Sequence, residues 1–346
     1  MMHIRSGNAF LSFILVTCLL VLAGCDNAPS QPQQQELLLQ GKTMGTTYNI
    51  KLYATEQKLK NNTLHSDIEA ALKNVNQSMS TYIPDSEINQ FNRLGANEVM
   101  PISDDFRIVV AESIRLGINT QTLDVTMGPL IDLWGFGPDK RPTQRPTQTQ
   151  LDAMIANIGV DKLSLSAQGL AKSVDGLELS FSATAKGFGI DKVAQLLEQN
   201  GISNYMVEIG GEMRVAGTKP GDKPWVIAIE QPDAPMGERR IHRTLTPGAM
   251  GIATSGDYRI FYEMDGEVYT HLIDPQTGMP IKHDLVSVTV LHPSAMTADG
   301  LATALTVMGT ERAKAYAQAN NLPVYLISKT AEGLKTYSSP AFAPYL

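Results

Sequence analysis

Cysteine is almost absent from this chain. Of its 346 residues only Cys18 and Cys25 are cysteines, and both lie at the extreme N-terminus. The body has none, which excludes disulfides, thiolate metal sites and Cys nucleophiles. Long apolar runs are also scarce. Phe10 to Leu22 falls short of the ~20 residues a bilayer-spanning helix needs. Basic clusters are missing, and 28 Lys and Arg stand against 35 Asp and Glu. That balance excludes a nucleic-acid-binding face. The glycines of Lys186-Gly-Phe-Gly189 fit neither the P-loop nor the dinucleotide fingerprint. No fixed-period repeat and no low-complexity tract interrupts the body.

The leader carries an address. His3 and Arg5 precede the apolar run, which ends in Leu22-Ala-Gly-Cys25. Small residues before a Cys look like a bacterial lipoprotein processing site. Cleavage would leave Cys25 as a lipidated N-terminus. Asp26 resembles the residue that retains such proteins in the inner membrane. Asn27 to Gln35 is rich in Pro, Ser and Gln and reads as a flexible tether. The expected organisation is a signal peptide at 1–24, an anchor and tether at 25–40 and one domain at 41–346. That body exceeds the ~100–150 residues typical of a domain, but one large α+β domain of this size is ordinary.

Along the body, Thr46 to Tyr53 alternates as a first strand, with Met44-Gly45 at an unusual backbone position before it. Ser66 to Met79 has helical spacing, and Ser103 caps a helix from Asp104 to Leu116. Thr120 to Gly137 is dense in Gly, Pro and aromatics. Leu151 to Ile158 is helical, with Thr149 as its cap. Leu177 to Ala194 reads strand, small-residue turn, helix. Its helix N-terminus would present N–H groups to a phosphate, with Lys186 as a point charge. Tyr205 to Gly217 is a strand that Gly210-Gly211 breaks, as a bulge or a close backbone approach would require. Leu285 to Leu291 is a buried strand, and Pro323 to Ile327 a final one.

Helix start signals follow at Ser294 and Thr297. Asp299 and Thr303 are spaced i, i+4 on this helix, so one face carries both oxygens. Such a pair suits Mg²⁺, which takes few protein oxygens and leaves the rest to water and phosphate. The alternative is a helix-dipole Asp and a Thr bonded within its own helix. Asp299 is expected to be exposed. His271 and Asp274, around an Asp-Pro turn, are candidate proton acceptors.

Eight runs taken together resemble the ApbE family of FAD:protein FMN transferases. In order they are Lys42-Thr-Met-Gly-Thr, Ser80-Thr-Tyr82 with Asp85-Ser-Glu, Leu123-Asp-Val-Thr-Met-Gly-Pro-Leu, Ala185-Lys-Gly, Ile209-Gly-Gly, Thr254-Ser-Gly-Asp-Tyr, His271-Leu-Ile-Asp-Pro-Gln-Thr-Gly and Ala298-Asp-Gly-Leu-Ala-Thr303. The resemblance implies a single T-fold-like α+β domain of antiparallel sheets and packed helices. It binds FAD in a cleft and Mg²⁺ at the diphosphate. Carried over, Ala183 (through its carbonyl), Asp299 and Thr303 become metal ligands. Met44, Tyr82, Thr122, Leu123, Asp124, Ser180, Lys186, Thr254 and Ile273 become the FAD site, with His271 near the reacting phosphate. Ser180 stands where the family usually has Asp, and Glu178, two residues earlier, is on the same strand face.

The implied reaction passes FMN from FAD to a threonine hydroxyl of a target flavoprotein, and AMP leaves. Targets would be subunits of membrane electron-transfer complexes, met on the periplasmic side of the inner membrane. An FAD pyrophosphatase would use the same metal residues. A non-catalytic flavin-binding lipoprotein is the alternative of another class.

Overall fold

In the computed structural model, which describes residues 34–60, 63–138, 141–235, 238–256 and 260–346, the chain opens with a long hairpin. β1 (Gln34–Thr43) pairs antiparallel with β2 (Thr46–Thr55) along its whole length, from Gln34 opposite Thr55 to Thr43 opposite Thr46. Met44 and Gly45 form the turn, with φ of +49° and +72°. A two-residue hairpin needs such values to match the strand twist. The tether limit at residue 40 is therefore corrected, because Gln34 to Gln40 belong to the sheet. The sequence hid this strand because it is an edge. Only Thr43 of its ten residues is buried. The leader and Cys25 lie outside the described residues.

Six helices and a hairpin follow: α1 (Glu56–Leu59), α2 (Leu64–Met79), α3 (Glu87–Asn92), α4 (Asp104–Thr120), α5 (Gly128–Leu133), α6 (Gln148–Ile155), then β3 (Leu163–Ser166) with β4 (Gly169–Lys172). Ser103 caps α4 by accepting from the Phe106 N–H, as expected. α6 departs from expectation. Its cap is Thr147 rather than Thr149, in a reciprocal capping box with Gln150, and the helix ends at Ile155. Threonine with glutamine three residues on is the stronger start signal.

α7 (Ala185–Gln199) leads into β5 (Asn204–Ile209) and β6 (Glu212–Ala216). Gly210-Gly211 is the turn between these two strands rather than a bulge within one, with φ of +63° and +110°. Then come β7 (Ile227–Glu230), β8 (Ile241–Leu245), β9 (Gly251–Gly256), β10 (Phe261–Met264), β11 (Glu267–Thr270), β12 (Ile273–Asp274), β13 (Met279–Pro280) and β14 (Leu285–His292). α8 (Ala295–Met308) and α9 (Thr310–Ala319) precede β15 (Val324–Thr330) and β16 (Gly333–Ser338). β16, polar on most positions, is an edge that sequence reading passed over.

Eight strands form one antiparallel sheet in the order β1-β2-β5-β6-β9-β14-β15-β16. On one face, α2 and α7 bury Ile68, Leu72, Ile190 and Leu197 against Ile50 and Tyr205. Further along that layer, α8 buries Leu301 and Leu305 against Val288, Val290 and Leu326. The opposite side holds Trp225, Ile227 and Leu245, packed on Val215 and Tyr325. The chain is thus one α+β domain of antiparallel sheets and packed helices. No described helix is long and apolar enough to cross a membrane.

Two glycines let the layers close on α8. A side-chain carbon on Gly187 would lie 2.3 Å from the Ala295 carbonyl oxygen, and one on Gly251 would lie 2.6 Å from Ala295 Cα. Non-bonded carbons need roughly 3.5–4.0 Å. Only glycine therefore lets α7 and β9 both meet the start of α8.

Candidate active site

α8 is buried almost all round, and of its fourteen residues only Thr303 is partly accessible. Ser294 caps it, accepting from the Thr297 N–H. Asp191 of α7 reinforces the cap through the Ala295 and Met296 N–H groups, at 3.0 and 3.1 Å. Arg214 of β6 pairs with Asp191 at 2.9 Å. Helix, helix and strand are thereby locked at one corner.

Asp299 is 5% exposed, which corrects its expected exposure. Its partner comes from 112 residues away, where the Gly187 N–H donates to Oδ2 at 3.0 Å. That amide is among the helix N-terminal N–H groups expected to face a phosphate. Burial pushes the Asp299 carboxyl up to about 7. Lys186 and the Gly187 N–H oppose this, and the nearby Glu212 carboxylate adds to it. Thr303 follows one turn on. The Ala183-Thr184 turn leans against the same helix: Ala183 packs on the α8 cluster, and a side chain on Gly300 would meet Thr184. The three expected metal ligands thus share one neighbourhood.

Those donors are all oxygens, which suits a hard dication. Among the described residues no group of three or more His, Cys, Asp and Glu could hold a metal. The expected ligand set would offer a cation one carboxylate, a hydroxyl and a carbonyl.

Lys186 Nζ meets Glu212 Oε1 at 2.6 Å. Sequence reasoning missed Glu212. It lies inside the stretch read as a strand and was not singled out, yet it is 7% exposed and its Oε2 has no hydrogen-bond partner among the described residues. The available signal was alternation, because Glu212 and Arg214 share a strand face.

The expected FAD residues divide by what their side chains already do. Thr122 Oγ1 donates to the Ala304 carbonyl at 2.9 Å, and Leu123 packs beside Ala298 and Leu301. Asp124 Oδ1 accepts from the Thr126 N–H and hydroxyl, at 2.8 and 2.6 Å. Burial raises the Asp124 carboxyl against those bonds. Ser180 donates its N–H to Val125, so residues 178–180 run beside this loop. Glu178 and Ser180 are both half-buried, alternating with the buried Leu177, Leu179 and Phe181. Leu123 and Asp124 line a small cavity with Pro275 and Gln276 of the Asp-Pro turn. Ile273 is buried against Trp134 and Tyr269. Thr122, Leu123 and Ile273 therefore have only main-chain groups left for a ligand.

Met44 reaches the start of α7, where a side chain on Gly189 would lie 2.6 Å from its Cε. Tyr82 is 66% exposed on the loop before α3 and makes no ring contact among the described residues. Thr254 shares a 2.9 Å hydrogen bond with Thr289 across β9 and β14.

His271 is held through Nδ1, 3.2 Å from the Ile260 carbonyl oxygen. That oxygen only accepts, so in the neutral ring Nδ1 carries the proton and Nε2 is the basic nitrogen. Burial holds the imidazole below its usual range. The Ile260 contact opposes this, and Lys186 lowers it further. Asp274 Oδ1 accepts from the Gln276 N–H at 2.9 Å and so serves its own turn.

Lys172 was not foreseen at all. It is 1% exposed, and its ammonium donates to the Asn92 and Leu177 carbonyls, both at 2.8 Å. The Asn92 side chain also pairs with Leu179 in both directions. Together they pin the stretch that leads into Ala183.

The ApbE family profile matches residues 44–326. The chain is 47% identical over 334 residues to the FAD:protein FMN transferase of Vibrio cholerae, covering 96% of this chain and 98% of that one. It is 38% identical over 347 residues to the Escherichia coli K12 protein of the same name, covering 98% of each. The solved flavin transferase ApbE from Vibrio cholerae superposes with a TM-score of 0.84 at 47% identity, over 90% of this chain and all of that one. The apo flavinyl transferase ApbE from Pseudomonas stutzeri superposes with 0.83 at 37% identity, over 90% and 97%.

Proposed function

This chain belongs to the ApbE family, and from that premise we infer how its residues divide the reaction. It is an FAD:protein FMN transferase, moving FMN from FAD to target proteins. The acceptor is a threonine hydroxyl. Its oxygen bonds to the FMN phosphorus, the bridging P–O bond breaks, and AMP leaves with the electron pair.

Asp299, Thr303 and the Ala183 carbonyl would hold Mg²⁺. When bound, such an ion would supply positive charge to offset the charge that develops on the diphosphate oxygens. The observation that carries this reading is the buried Asp299 carboxylate one turn before Thr303, the only accessible position on α8. Lys186 supplies a second positive charge for the diphosphate. Met44 and Tyr82 hold a ring system, and the 122–124 main chain lies along the nucleotide. His271 takes the acceptor proton at Nε2. It is favoured over Asp274, whose carboxylate serves its turn.

Lipid on Cys25 places the domain at the periplasmic face of the inner membrane, where flavoprotein subunits of electron-transfer complexes are the targets. The deciding experiment incubates the protein with FAD and Mg²⁺, with and without a target subunit. AMP released only with target supports the transferase. Equal release without target makes the protein a pyrophosphatase, and no release makes it a binder.

A further inference from the structure

One polar atom at the site has no role in the reading above. Glu212 is the first residue of β6, aimed toward the helices by the Gly210-Gly211 turn. Its Oε1 pairs with Lys186 at 2.6 Å, while its Oε2 is buried and without a partner among the described residues. A buried carboxylate oxygen with free lone pairs is costly, and native structures almost always satisfy such atoms.

The surroundings say which donor is missing. Two consecutive residues of α7 hold the two acids: Lys186 through its ammonium on Glu212, Gly187 through its N–H on Asp299. The acids therefore flank one helix start. Two carboxylates face one ammonium, so this spot is short of one positive charge. A hard dication on Asp299 keeps several of its waters, and each water is a strong donor polarised by the ion.

Resting on the metal reading of Asp299, Thr303 and Ala183, we propose that Glu212 Oε2 accepts a hydrogen bond from a water of the cation bound there. Glu212 is then a positioning residue that orients the ion's hydration without touching the ion. Lys186 holds the carboxylate in place from its other oxygen. Outer partners of this kind typically contribute 10–100-fold to metal affinity.

The test titrates Mn²⁺ alone, a hard dication whose free form is read by electron paramagnetic resonance, into the full chain without FAD. Glu212→Gln should bind Mn²⁺ about tenfold more weakly, while Asp299→Asn should lose the site. If Asp299→Asn binds as wild type does, the metal reading falls and this proposal with it. If Asp299→Asn loses the ion but Glu212→Gln keeps full affinity, only the role of Glu212 is overturned. Lys186→Met added to Glu212→Gln should leave binding weak. Restored affinity would mean that a freed ammonium repelled the ion, and would overturn the proposal. Thermal unfolding of each variant checks the fold. Should Glu212→Gln not fold, Glu212→Asp replaces it, since it keeps the charge for Lys186 and withdraws the oxygens by one methylene. Undiminished affinity there overturns the proposal.

Discussion

Asp191 Oδ2 accepts a hydrogen bond from Ser294 Oγ at 2.7 Å, so the residue that caps α8 is itself held by α7. Asp191→Ala would remove that bond and two main-chain partners, and would leave Arg214 with Glu198 as its ion-pair partner among the described residues. Breaking a buried pair of this kind costs about 3 kcal/mol. Urea unfolding should show a lower midpoint with an unchanged slope. A loss below ~0.5 kcal/mol, the range of ordinary surface substitutions, would deny this corner its role.

Asp299→Ala should abolish Mg²⁺-dependent AMP release while the protein stays folded. The change exposes one orphaned N–H, at Gly187, for about 1–3 kcal/mol. It also relieves the burial that pushes the carboxyl up to about 7. A chelator should reproduce the loss in the unaltered protein. Turnover that survives both treatments removes the cation from Asp299.

The pH profile should identify the proton acceptor. Burial holds His271 below the usual histidine range, so its neutral form dominates at pH 7. The sign follows from that form being the base. The rate should stay flat above the depressed value and fall as pH drops through it. His271→Gln should lower kcat by about 10²–10⁴-fold and remove this acid limb. At saturating Mg²⁺, which keeps Asp299 ionised, an acid limb that persists in the variant assigns the proton to another group.

Tyr82→Ala should weaken FAD binding by up to roughly tenfold, since ring stacking contributes ~0.5–1.5 kcal/mol beyond burial. The ring is exposed, so the substitution leaves no cavity and the unfolding midpoint should not move. Flavin fluorescence titration at constant Mg²⁺ reads the difference. Equal dissociation constants would leave Tyr82 as an ordinary loop residue.

What the sequence disclosed and withheld follows from the range of each interaction. The i, i+4 spacing of Asp299 and Thr303, the Ser103 cap and the buried β14 are local patterns, and they were legible. The burial of Asp299 was not, because its partner Gly187 is 112 residues away and donates a main-chain N–H that no side chain advertises. Lys172 went unnoticed for a related reason. A lysine reads as surface until two carbonyls, one of them 80 residues distant, surround its ammonium. β1 was lost to composition, since an edge strand with polar outward positions looks like a linker. Glu212 was passed over because a carboxylate in a strand reads as its solvent side until Lys186 of α7 is seen to meet it.

The pairing of β2 with β5 also governs when the chain can assemble. Asn49 Nδ2 reaches Glu208 Oε2 across 159 residues of sequence. The hairpin formed by β1 and β2 must therefore wait, with β2 unpaired on one side, until α7 and β5 have been made. Closing so long a loop before its contacts repay the entropy slows folding and leaves a strand edge open to other chains. Refolding from denaturant should accordingly be slow, and should lose yield to aggregation as protein concentration rises.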